Sequence, residues 1–118
     1  MKPESRALGQ ALLDHHQLVT KAHPPGKKIL RSKYTLRYGV LCDRAGVPHV
    51  LPIVGNFLLE LAEWCEAEGL PPLNALAVND TGLPGDGYDK AGGFKIVNWP
   101  GDVEECIRCT AYPGKIPP

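Results

Sequence analysis

The stretch that most constrains this chain covers residues 51–88, LPIVGNFLLELAEWCEAEGLPPLNALAVNDTGLPGDGY. Val54, Phe57, Leu58, Leu61 and Cys65 recur at the spacing of one helix face, with Ile53 and Trp64 beside them. Glu60, Glu63, Glu66 and Glu68 line the other side. Pro52 suits the first turn of this helix, and Gly69 is its C′ stop. Pro71-Pro72 then turns the chain into Leu73–Asn79, apolar on both faces and so predicted to be a central strand. Asp80 to Gly87 is a loop of turn residues. An apolar stripe of this length has to be covered, so the remaining segments must pack on it.

Upstream, a helix is predicted from Glu4 or Ser5 to Ala22. Leu8, Leu12, His15 and Val19 share one face, and Ala11 and Leu18 widen it. Pro24-Pro25-Gly26 ends it, because Pro has no N–H to donate and restricts the residue before it. A basic connector follows, with Ile29 and Leu30 as aliphatic anchors or as part of a short strand. Thr35 to Ala45 reads as a second helix, with Thr35 as N-cap and Gly46 closing it. Val47-Pro48-His49 is a turn, so two helices joined tightly give a helix-turn-helix outline. Phe94–Trp99 is predicted to pair with Leu73–Asn79 as a two-stranded wing. Asp102 is predicted to cap a last helix, with Glu105 completing a capping-box variant and Val103, Cys106, Ile107 and Thr110 facing inward.

These elements amount to one α+β domain of winged-helix type. Residues 1–26 form its N-terminal helix and Pro stop, 27–112 its core, and 113–118 an irregular tail. At 118 residues and 43% hydrophobic, the chain can bury a core without staples. It has no apolar run of membrane-spanning length and no apolar leader core, which points to a cytoplasmic protein of a bacterium or virus. In that compartment the four Cys are expected to be free thiols. The zero net charge hides a segregation: residues 1–38 carry eight Lys/Arg against Glu4 and Asp14, a net +6, and residues 39–118 carry −6. A basic third on an acidic body is suited to nucleic acid, or to lying on its own body or on a twin subunit.

Five cations fall between Lys27 and Arg37: Lys27, Lys28, Arg31, Lys33 and Arg37. They suit phosphate contact, with Tyr34 and Tyr38 beside a sugar or base; the bland reading is a solvated connector. His15, His16 and His23 lie close in sequence. They are read as solvated or capping imidazoles near a helix end rather than metal ligands, since no Cys or carboxylate stands at ligand spacing. Cys106-Ile107-Arg108-Cys109 is a lone CxxC, without the second pair that a zinc site needs and outside the strand-to-helix setting of a redox motif. Gly82 to Gly87 lacks the Lys-Ser/Thr ending of a phosphate loop, and Asp80, Asp86 and Asp89 do not have Ca²⁺-loop spacing. An exposed wing tip suits it better. No base is paired with a nucleophile: His49, the one His beyond the N-terminal helix and its Pro stop, has no sequence relation to Cys42. No enzyme activity, cofactor or metal is expected.

Tyr38-Gly39-Val40-Leu41 through Gly46 and Pro48, a helix with Gly55, then Pro71-Pro72 and an apolar strand, resemble the winged-helix half of alkyltransferase-like DNA-binding proteins, over about residues 34–82. Where that family has a Pro-Cys-His-Arg or Pro-Trp-His-Arg segment, this chain has Pro72-Leu73-Asn74-Ala75, so alkyl transfer is not implied. Leu70 to Asn79 with Thr81 to Gly85 is also similar to small uncharacterised bacterial and phage proteins.

The reading is a nucleic-acid-associated binding module using Lys27, Lys28, Arg31, Lys33, Tyr34 and Arg37, with Asn56 adding a contact, on duplex DNA. The four Glu of the second helix oppose its use as a recognition helix. The rival is a phage or mobile-element interaction module, an inhibitor or adaptor that docks on a larger protein or nucleoprotein complex through Glu60, Glu63, Glu66 and Asp86. A homodimer is compatible with both.

Overall fold

The computed structural model describes residues 1–85 and 98–117. Helix α1 spans Pro3–Ala22. Pro3 sits in its first turn, where the missing N–H has no intrahelical partner to lose, and the helix stops at His23, just ahead of the two prolines. Leu8, Leu12 and Leu13 are buried, while Leu18 points to solvent instead of widening the stripe.

After a 3-10 turn, Arg31–Lys33, comes a two-residue strand β1, Leu36–Arg37, and then α2, Tyr38–Arg44. The second helix thus starts two residues later than expected, with Arg37 rather than Thr35 at its N-cap, because the backbone of Leu36 and Arg37 is taken up in a sheet. Gly46 ends the helix in the left-handed region, φ 75°, that a side chain resists. The expected tight turn is a 3-10 helix, Pro48–Ile53, with Pro52 inside it, so α3 begins at Val54 and runs to Ala67. Val54, Phe57, Leu58, Leu61 and Cys65 are its buried face, Ile53 is exposed and Trp64 half-buried. Gly69 terminates it at φ 67°.

Leu73 to Val78 is buried throughout, as a central segment should be. Its first half, Leu73–Leu76, is a 3-10 turn with the Ala75 N–H on the Pro72 carbonyl, and only Ala77–Val78 is strand, β2. β2 pairs in parallel with β1, Leu36 opposite Ala77 and Arg37 opposite Val78. The partner proposed for it, Phe94–Trp99, lies outside the described residues except for its last two positions. Those belong to α4, Trp99–Arg108, capped at Asn98. Pro100 at the second helical position favours that earlier start, and it leaves Asp102 in the first turn, where the helix dipole favours an anion, rather than at the cap. Val103, Cys106 and Ile107 face inward; Thr110 lies beyond the helix and is exposed.

Helix α1 packs against α3 and the Leu73–Leu76 turn, and α4 closes over that turn from another side. The chain is an α+β domain, rich in helix, with a short two-stranded parallel sheet. Gly9 on α1 faces the Leu61 side chain of α3: a Cβ there would stand 2.9 Å from Leu61 Cδ1. The tail is irregular yet docked, because Ile116 is buried over Gly9 and its N–H donates to Gln10 Oε1.

Candidate functional site

The basic connector is pinned at several points. Tyr34 is only 5% exposed, and its hydroxyl donates to the His23 carbonyl at 2.7 Å. The Tyr34 carbonyl accepts from His15 Nε2 at 2.8 Å, and the Gly26 carbonyl from Arg108 Nη2 at 2.8 Å. Arg31 lies over the indole of Trp99, 5.4 Å from the ring centroid. With its backbone held this way, the connector leaves Lys27, Lys28, Arg31 and Lys33 exposed, as is Arg37 on β1.

Both tyrosines expected beside a base have structural work. Tyr34 is buried against His23, and the half-buried Tyr38 accepts the Gly85 N–H at 2.6 Å. Tyr34 therefore offers no ring face to a ligand. Asn56 is exposed on α3, a different element from the connector. Of the acidic set, Glu63 and Glu66 are exposed, and Glu60 is half-buried, its carboxylate accepting the Lys2 backbone N–H, which holds its pKa below the ordinary value. Asp86 lies outside the described residues.

Sequence reasoning missed Trp99. Read as the end of a strand, it instead opens α4, is 5% exposed, and is fixed by donating Nε1–H to the Ala75 carbonyl at 2.8 Å. It floors a cleft of about 450 Å³ between the connector and the turn at Thr81–Leu83. Asn79 builds that turn: its Oδ1 accepts from the Thr81 N–H and hydroxyl, its own N–H donates to the Leu83 carbonyl, and Gly82 takes φ 81°.

His15 and His16 are not solvated, whereas His23 is exposed. His15 and His16 are buried side chains that donate to the carbonyls of Tyr34 and Cys106, and burial lowers the pKa of each. Only His23 occupies a helix end, as its C-cap. The four cysteines are free thiols. Cys106 is buried and 3.0 Å from the Pro72 carbonyl; burial pushes its thiol far up, and that of Cys65 up to about 11. Cys42 is raised by burial as well, and His49 is exposed on the Pro48–Ile53 turn. Among the described residues no three of His, Cys, Asp and Glu are grouped to hold a metal, and no helix is long and apolar enough to cross a membrane.

Compared with known proteins, the chain matches no family model, no curated protein and no solved structure.

Proposed function

We propose that this domain is a non-enzymatic binding module of the cytoplasm that holds nucleic acid through phosphate contacts from its basic connector. The observation that carries this is the pinned backbone between His23 and Arg37 with every one of its cations exposed. A connector anchored through its carbonyls and its tyrosine loses little further freedom on binding, so its charges are presented ready for a polyanion. The resemblance of residues 34–82 to the winged-helix half of alkyltransferase-like DNA-binding proteins is in keeping with this reading. The exposed Glu63, Glu66 and Glu68 keep the outer face of α3 away from the phosphates.

Affinity for duplex DNA should then fall steeply with salt, as condensed counterions are released. Replacing Lys27, Lys28, Arg31 and Lys33 by Ala should weaken binding about equally for all sequences. Glu63→Gln with Glu66→Gln should strengthen it slightly. Absence of duplex binding at low salt, together with loss of a protein partner in the Glu variants, would instead establish α3 as the docking face of an interaction module.

A further inference from the structure

The cleft above Trp99 combines two features that duplex DNA does not ask for. Two apolar side chains of its lining are open to solvent: Leu30 of the connector is 50% exposed and Leu83 of the turn 53% exposed. Its lining is also polar and cationic, with the exposed Arg31 and the hydroxyl-bearing Ser32 and Thr81. The Arg31 guanidinium lies over the buried indole of Trp99, and a planar guanidinium stacks on rings and offers N–H donors at its edge. A ligand matched to this surface needs an apolar planar face and an anionic group a few bonds apart. In a duplex the base faces are already covered by their neighbours, so no planar face is on offer beside the phosphate. An unpaired nucleotide offers both. The volume, about 450 Å³, is in the range of small-ligand sites.

We infer that the Arg31–Trp99 cleft seats one unpaired nucleotide of a single strand, its base against Leu30, Leu83 and the guanidinium plane and its phosphate on the Arg31 edge and the hydroxyls. This rests on the phosphate-binding reading above and narrows it: the flanking Lys27, Lys28 and Lys33 then track the strand on either side. It also resolves where stacking occurs now that Tyr34 and Tyr38 are occupied.

The test uses the full chain in a Trp64→Phe background, which leaves Trp99 as the single tryptophan. A short oligothymidine and a blunt duplex of equal length are titrated by anisotropy at several salt concentrations while Trp99 fluorescence is followed. The single strand should bind about tenfold or more tighter than the duplex, as expected for one stacked base, and should shift the Trp99 emission. Arg31→Lys, which keeps the charge and loses the plane, and Leu83→Ser should each remove most of that preference and keep the salt dependence. Lys28→Ala should weaken both ligands alike. Thermal melts confirm that each variant is folded. Equal affinity for strand and duplex, or an unchanged Trp99 signal, overturns the cleft and leaves phosphate contact standing. Equal competition by inorganic phosphate and by thymidine monophosphate, or by an acidic Glu/Leu peptide, also overturns it. Failure to bind either nucleic acid at low salt overturns both readings.

Discussion

His16 Nε2 donates to the Cys106 carbonyl at 2.7 Å, joining α1 to α4 across 90 residues of chain. A carbonyl only accepts, so Nε2 carries the proton and the neutral ring keeps Nδ1 bare. Its neighbour does the same for the connector: His15 Nε2 donates to the Tyr34 carbonyl, and His15 Nδ1 faces Arg44 Nη1 at 3.5 Å. The rings of His16 and Tyr112 meet in a T-shaped contact. A second proton on either ring would be buried, and on His15 it would also meet the Arg44 charge.

Folding is therefore expected to be acid-sensitive through these two rings. Burial lowers both pKa values from 6.5 in the folded state, so the unfolded chain takes up protons first as pH falls. Their contribution is fully present above pH 6.5 and declines below it, by up to about 1.4 kcal/mol per pH unit for each proton. Urea titrations across that range should show the decline in the wild type and a flatter profile in His15→Gln/His16→Gln. An unchanged slope in the double variant would mean that other groups govern acid unfolding.

Gly9 faces the side chains of Leu61 on α3 and of Ile116 in the tail. Gly9→Ala gains about 1 kcal/mol of helix propensity, yet its methyl would press on Leu61 Cδ1 at 2.9 Å and Ile116 Cγ1 at 3.1 Å inside the core. Overpacking at such a site costs about 1–3 kcal/mol, so a net loss of stability is expected in denaturant titration. Gly101→Ala on α4 has no atom within 4 Å of the new carbon and is the matched control, expected to be neutral or stabilising. A more stable Gly9→Ala would show that α1 and α3 can separate without cost.

The thiols should differ sharply in reactivity. Cys42, Cys65 and Cys106 are buried, with burial raising each pKa, whereas Cys109 is half-buried at the end of α4. Nucleophilic attack needs an accessible thiolate. A disulfide reagent at neutral pH should modify one thiol quickly and the other three only on unfolding, and Cys109→Ser should abolish the fast phase. A fast phase that survives this substitution would place the reactive group elsewhere.

Helices α1 and α3 could be read along the chain because a helical stripe is a local pattern. Leu8 and Leu12, or Val54, Phe57 and Leu61, lie on one side of a helix whatever it packs against, and a Pro-Pro or a Gly at positive φ stops a helix by its own backbone chemistry. The segregation of charge and the exposure of the connector's lysines were legible for the same reason. What tertiary structure decided were the positions whose environment comes from distant residues. Leu73–Asn79 has the composition of a strand, but Pro72 starts it as a 3-10 turn and β1 offers only two residues to pair with. His15 shares the apolar face of α1, but the carbonyls of Tyr34 and Cys106 that partner His15 and His16 come from distant parts of the chain. Tyr34, expected beside a sugar or base, is buried under its own hydrogen bond, and Trp99, expected to end a strand, opens α4 and is fixed by Ala75 beneath Arg31. A sequence states which groups need partners; only the folded chain states which partner arrives and which side chain is left facing solvent.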